Sequence, residues 1–406
     1  MSKPSSRPLI IAFFTIFLDL LGFGIIIPIQ PFYVKSLGAT ATVVTLLGAS
    51  YSLMQFFFAP FWGTLSDRIG RRPIILFSIL ISAIGHFLFA FAGSLGLLFV
   101  ARMLAGFGNA NIGTAQAIIA DVTTKENRAT GMALIGVAFG LGFLLGPAVG
   151  GFLGTISPSM PFLVAGGLSI ANLVFAFFML KETKSESSVP NERKLFDLQL
   201  FSSAKKFVNV RALLLISLIY TTSFALMEQA ISLFIEAIWV SPDLSLDSEA
   251  KFEEAGLLTA YYLVVVGITA IVVQGGLIRP LSRKFGEANL TRVGVLVVLL
   301  AMLSIPLVGG LGQYTLFLST AVLLAFGTGI INPAKTALLS RSIPDEEQGT
   351  YLGLNQSFSA IGRFIGPTFS GFLFEQWIDL PFYTAAILLL AASYLSVGLK
   401  RPEDIA

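Results

Sequence analysis

Residues 63–75 read GTLSDRIGRRPII, a short charged stretch set between two long apolar runs. Arginines beside a membrane face the cytoplasm, so Arg68, Arg71 and Arg72 mark a cytoplasmic turn between two spans. Asp67 is the unexpected member: it lies four residues before Arg71 and is flanked by turn glycines, so it can accept from an arginine or a helix N-terminus. The stretch also recurs. LSDRIG from Leu65 returns as LSRKFG from Leu281, and GPAVGGFLG from Gly146 returns as GPTFSGFLF from Gly366, offsets of 216 and 220 residues. One six-span unit is therefore used twice. Because six is even, both copies have the same orientation, related by an axis along the membrane normal.

The composition agrees with a lipid solvent. Of 406 residues 55% are hydrophobic and 12% charged, and the mean hydropathy is +0.83; soluble domains do not reach this balance. Gly (39) and Phe (37) suit close helix packing in a bilayer. Apolar runs near the length that crosses a bilayer fall at 9–33, 42–62, 74–93, 96–120, 130–154, 161–180, 212–238, 255–278, 290–309, 314–336, 348–374 and 382–399. The reading is an all-α membrane protein of twelve spans, with bundles at 1–180 and 212–406 and a polar linker at 181–211. No small-residue cleavage site follows the first apolar run, so it is read as a retained span.

Lys and Arg cluster after the even-numbered spans, at Lys125 and Arg128, through Lys181–Arg211, and at Arg279, Arg283, Lys284, Arg292 and Arg341. Both termini and the linker are therefore expected in the cytoplasm, and the acidic SPDLSLDSEAKFEE outside. Cysteine is absent and His86 is the single histidine, which removes thiolate metal sites and most nucleophile chemistry. No GK[ST] phosphate loop is present. An enzyme, a bound cofactor and a nucleic-acid partner are not expected.

What chemistry remains sits in the spans. Asp19 lies inside TIFLDLLGFGIIIPIQP, where an ionised carboxylate costs about 2.5 to 3.5 kcal/mol unless it has a partner, a proton or a task. Arg102, Gly106, Asn109, Gly113 and Gln116 recur at helical spacing in the fourth span. They form either a cavity-facing stripe or a polar packing seam. Glycines 142, 146 and 150 make a smooth groove that Pro147 bends, and Gly151 adjoins it. In the seventh span Thr221, Phe224, Glu228 and Ser232 share a face. The tenth offers Thr328 and Asn332, with Lys335 near its inner end, and the eleventh offers Gln356 and Arg363.

The stretch at 63–75 resembles the signature loop of the major facilitator superfamily, with Gly63, Leu65, Asp67, Arg68, Gly70, Arg71 and Arg72 all fitting. The Arg102 stripe resembles the superfamily's helix-4 motif, whose arginine is implicated in proton handling. GFLLGPAVGG is similar to the motif that marks its exporters. LDLLGFGIIIPIQP and SLMQFFFAPFWG are similar to the first two helices of tetracycline-type drug:proton antiporters. The likeness is specific over about residues 10–155 and weaker beyond. Two departures bear on the substrate: ISAIGHFLFA carries Gly85 and His86 where those exporters have a helix-3 acid, and spans 8 and 9 hold neither their His nor their Asp.

The resemblance implies proton-driven efflux of lipophilic or amphipathic small molecules across the cytoplasmic membrane, by a protein expected to be a monomer in membrane lipid. Helices 1, 4, 7 and 10 would line the cavity. Asp19, Arg102 and Glu228 would then couple protons, and Gln30, Asn109, Gln116, Phe224, Asn332, Gln356 and Arg363 would line the substrate path. Asp121 and Arg128 would join Gly63, Asp67, Arg68, Gly70 and Arg71 in a cytoplasmic latch. His86, on a peripheral helix, is read as structural. The rival readings are an exporter of sugars, lipids or metabolites and a non-transporting receptor or scaffold.

Overall fold

A computed structural model of the chain describes residues 6–123, 128–183, 203–240, 248–344 and 347–400, and the regular elements among them are all helical. Twelve long helices carry the architecture. In the first repeat these are α1 (Ser6–Ile26), α2 (Ala41–Ile69), α3 (Arg71–Ala90), α4 (Leu95–Val122), α5 (Arg128–Ile156) and α6 (Met160–Met179). In the second they are α7 (Val210–Trp239), α8 (Ser248–Phe285), α9 (Glu287–Gly309), α10 (Tyr314–Arg341), α11 (Gln348–Gln376) and α12 (Leu380–Val397). Ten of them hold a stretch long and apolar enough to cross a membrane. Among the described residues α5 adds a shorter apolar stretch, Gly140–Ile156.

The helix bounds depart from the apolar runs where backbone chemistry intervenes. The first run was expected to reach residue 33, but α1 stops at Ile26, and a separate short helix, Gln30–Ser36, begins with Pro31 in its first turn. Pro28 and Pro31 lack the N–H that a continuous helix would use. In α4 a 3-10 turn at Asn109–Asn111 separates Leu95–Gly108 from Ile112–Val122, and in α8 a π turn at Val273–Leu277 does the same. α8 also starts at Ser248, so part of the acidic segment expected as an outer loop is helical. Residues 184–202 of the expected linker and 241–247 of that loop lie outside the described residues.

Backbone packing divides the chain into two compact units, and the division is not the simple cut between bundles that the repeat suggests. The first unit comprises Met1–Ala39, Ser50–Leu195 and Leu244–Val264; the second comprises Thr40–Ala49, Phe196–Asp243 and Val265–Ala406. Each unit thus contains the start of one helix from the other repeat.

In the first unit α1 lies in a groove on α5. A Cβ on Gly146 would come within 2.6 Å of Gly24 Cα, one on Gly142 within 3.0 Å of the Leu20 carbonyl carbon, and one on Gly150 would strike the Ile25 carbonyl. Only glycine permits this approach, which answers why the exporter-like string is glycine-rich. Pro147 lies within α5, and the start of α8 packs beside the groove, with Ala260 against Gly151 and the Phe252 ring 6.2 Å from Phe32.

The second unit repeats the arrangement: α7 packs on α11 through Gly362 and Gly366, and Ser370 Oγ donates to the Leu226 carbonyl at 2.7 Å. The start of α2 is held to α11 by Gly371 N–H to Thr45 Oγ1 (3.0 Å) and by the Glu375 carboxylate, which accepts from Thr42 N–H at 2.7 Å. That carboxylate caps a helix N-terminus, whose first N–H groups have no partner within the helix.

Candidate functional site

The turn between α2 and α3 is a compact ionic node. Gly70 connects the helices at φ +111°, a conformation L side chains rarely adopt. Beyond it Arg71 folds back onto α2: its guanidinium pairs with Asp67 and donates to Ser66 Oγ at 2.7 Å, while its Nε reaches Asp121 Oδ2 on α4 at 3.3 Å. Asp67 and Arg71 are each only 7% exposed. Glu182, just past α6, accepts from the backbone N–H groups of Arg71 (2.9 Å) and Arg72 (3.1 Å) and so caps α3. Thr183 Oγ1 also donates to Asp121, at 3.3 Å, and Arg72 Nη2 donates to the Phe177 carbonyl at 2.7 Å. Gly63 is buried in the last turns of α2 and its carbonyl accepts from Ser66 Oγ at 2.8 Å. Arg68 is exposed on the same helix, and the side chain of Arg128 lies outside the described residues.

Glu182 was not expected here. In the sequence it stands between Lys181 and Lys184 at the start of a basic linker, and no short-range spacing ties it to residues 110 positions earlier. The second repeat builds the same node with the charges reversed. Gly286 turns the chain at φ +74°, Ser282 Oγ donates to Glu287 Oε1 at 3.1 Å, and Arg341 pairs with Glu287 at 3.1 Å. Arg71 thus corresponds to Glu287 and Asp121 to Arg341.

Deeper in the first unit, the sequence placed Asp19 and Arg102 at compatible depth. The structure gives them different neighbours. Asn172 of α6 donates through Nδ2 to Asp19 Oδ1 at 3.0 Å and to the Thr15 carbonyl at 3.0 Å, and the side chain of Asn111 is the second amide beside the Asp19 carboxylate. Arg102 is 6% exposed, with its guanidinium 4.2 Å from the Tyr51 ring centroid and 5.7 Å from that of Phe23. The α4 stripe does not act as one face, because the 3-10 turn interrupts it. Asn109 Oδ1 accepts from Ser82 Oγ at 3.0 Å and Asn111 Nδ2 donates to Ser78 Oγ at 2.6 Å, so both amides are engaged with α3. Gln55 bridges this layer, donating to Tyr51 Oη at 3.1 Å and to the Asn109 carbonyl at 3.2 Å. Gln116 is half-buried, and Gln30 is buried with its Oε1 unpaired.

His86 is buried, with Nδ1 3.3 Å from Ser169 Oγ, in keeping with a structural residue. Its neighbour Gly85 lies flush against α4, where a Cβ would come within 2.8 Å of Ala105 N. A carboxylate-bearing side chain at position 85 has no room.

In the second unit the expected residues gather around Tyr220. Asn332 Nδ2 donates to its hydroxyl at 3.1 Å, Phe224 stacks 6.3 Å from its ring, and the Glu228 charge is close enough to act on it. Lys335 Nζ lies 4.8 Å from the same ring centroid. Gln356 and Arg363 are exposed on α11, and Asn332 on α10. Tyr220 was absent from the expected set, since a tyrosine in an apolar helix carries no periodic signal. Among the described residues no cluster of His, Asp and Glu has metal-binding geometry.

The comparisons with known proteins agree with one another. The family model described as Major Facilitator Superfamily matches residues 12–367 and, in a second match, 309–405. The class C tetracycline resistance protein of Escherichia coli is 30% identical over 393 residues, 95% of each chain. The quinolone resistance protein NorA of Staphylococcus aureus (strain MSSA476) is 29% identical over 388 residues, again 95% of each. Among solved structures, the human organic anion transporter MFSD10 (TETRAN) superposes with a TM-score of 0.72 at 24% identity, over 97% of this chain and 100% of that one. A bacterial homolog of the human lysosomal transporter Spinster gives 0.76 at 15% identity, over 98% and 97%. At these identities the two structures speak to the fold alone.

Proposed function

Because the chain belongs to the Major Facilitator Superfamily, we propose that it is a drug:proton antiporter, expelling lipophilic or amphipathic small molecules by alternating access of its two repeats. It is a multi-pass protein of the cytoplasmic membrane. The relatives named for tetracycline and quinolone resistance support efflux as the activity, and the proton gradient supplies the driving force without a cofactor.

The observation that carries proton coupling is the surroundings of Asp19. Two amides approach the carboxylate, and Asn172, which donates through Nδ2, keeps its own Oδ1 buried without a donor. An ionised Asp19 can only accept; a protonated one also donates. Proton uptake at Asp19 thus adds an O–H donor next to an amide whose acceptor is orphaned, so the site has reason to hold either state. Glu228 shares the coupling from the second unit, and Arg102 sets the field in the first.

The test is Asp19→Asn in proteoliposomes with an imposed pH gradient. The variant should bind a fluorescent amphipathic substrate yet build no substrate gradient, and Glu228→Gln should give a smaller or substrate-dependent loss. If Asp19→Asn still builds a gradient that an uncoupler collapses, the carboxylate is structural and the proposal fails.

A further inference from the structure

Lys335 is a charged group that the mechanism above does not use. It is 5% exposed, within α10, and no hydrogen bond or carboxylate partner meets its ammonium among the described residues. The ammonium sits over the Tyr220 ring, and the neighbouring charge that acts on it is another cation, Arg363 of α11. A lysine buried at membrane depth is expensive unless an anion or a water-filled space meets it. A helix needing only bulk here would do better with leucine.

The groups around it have one chemistry in common. Asn332, one turn before Lys335, donates one amide hydrogen to Tyr220 and retains a second. The guanidinium of Arg363 only donates, as does the ammonium itself. Beside these donors lies an aromatic platform, Tyr220 stacked with Phe224 at 28° between ring planes. We propose that the second unit carries an anion subsite in which Lys335, with Arg363 and Asn332 beside it, receives the carboxylate of an aromatic organic acid whose ring rests on Tyr220 and Phe224. This rests on the efflux reading and narrows it: the compounds handled best are amphipathic acids, not merely lipophilic molecules. A small inorganic anion shares the same chemistry but would leave the aromatic platform unused.

The experiment is calorimetric binding to the full-length protein in nanodiscs, with no proton gradient, using naphthalene-2-carboxylate and its neutral partner naphthalene-2-carboxamide. The protein should bind the acid about tenfold more tightly than the amide, and Lys335→Gln should erase that preference while leaving amide binding within about twofold. Lys335→Arg, which keeps the charge, should retain most of the preference and shows that the position tolerates substitution. Equal weakening of both ligands in Lys335→Gln would assign the residue a structural role and overturn the subsite. An acid preference that survives Lys335→Gln would overturn it too, as would chloride binding at Lys335 with acid and amide held equally. Because binding is read without a gradient, a protein that shows the lysine-dependent preference but builds no proton-driven gradient would refute antiport and leave the subsite standing.

Discussion

Replacing Arg71 with methionine keeps an unbranched apolar stem and removes the guanidinium and its charge, and the consequence can be worked from the node it holds. The Arg71 and Asp67 side chains are 9% and 10% exposed, so the deletion leaves a buried carboxylate without its counter-charge. Breaking a buried pair from one side costs about 3 to 5 kcal/mol. Asp121, whose side chain is 26% exposed, is screened by water and adds at most about 1 kcal/mol. Asp67→Asn is milder, because the amide oxygen can still accept from the guanidinium; about 1 to 2 kcal/mol is expected. The double variant removes both buried charges and should cost less than the sum of the singles. Arg341→Ala in the second repeat should be milder than Arg71→Met, because the arginine side chain is 60% exposed, but it still leaves Glu287, 8% exposed, without its counter-charge, so about 1 to 3 kcal/mol is expected. Trp62, buried near the node with its Nε1 bonded to the Phe107 carbonyl at 2.7 Å, offers a fluorescence reporter for denaturant unfolding. Turnover in vesicles should fall in the order of lost stability. Stability of Arg71→Met within about 1 kcal/mol of the parent, or strict additivity in the cycle, would refute a buried, coupled node.

Gly150→Leu should abolish transport and lower yield, since a Cβ there already meets the Ile25 carbonyl, whereas Gly167→Leu, at a position open to its surroundings, should leave both unchanged; expression and efflux assays decide. Expression in a sensitive host should give weak or no tetracycline resistance and better resistance to hydrophobic compounds, because α3 carries Gly85 and His86 in place of an acid and Gly85 has no room for one; strong, specific tetracycline resistance would show that inference to be wrong.

Much of the fold was legible because membrane spans write themselves in composition. The twelve spans, the repeat and the arginine node followed from apolar length, offsets of 216 and 220 residues and the positive-inside pattern. The partners of the charged groups were less legible. A helical wheel places Asn109 and Gln116 on the Arg102 face, but the 3-10 turn at Asn109–Asn111 breaks that register and engages Asn109 with α3. Asp19 was expected to answer to an arginine and is met by two asparagines, one of them on α6, a helix with no predicted role. Glu182 and Glu375 cap helices far away in sequence, and a capping carboxylate supplied at long range leaves no local motif. Spacing reports which face a residue is on; it does not report what the opposing helix presents.

The repeat also separates what the fold requires from what transport can vary. At the cytoplasmic turns Gly70 and Gly286 both hold positive φ and Ser66 corresponds to Ser282, yet Arg71 and Asp121 become Glu287 and Arg341. Geometry is kept and sign is not, as expected if the turn needs a closed ion pair and is indifferent to its polarity. The same register can be carried to membrane depth. Gly150 packs on the Ile25 carbonyl and its counterpart Ser370 donates to the Leu226 carbonyl, which aligns Ile25 with Leu226 and, six residues earlier in each helix, Asp19 with Tyr220. One repeat therefore places a titratable carboxyl among amides where the other places an aromatic ring beneath a lysine. A carboxyl can take up and release a proton, whereas an aromatic ring beside a cation offers a surface for another ring and a charge for an anion. On the proposed reading, the corresponding positions Asp19 and Tyr220 on the two first helices suit the two cargoes that an antiporter must move in opposite directions, a proton at the carboxyl and a substrate at the ring.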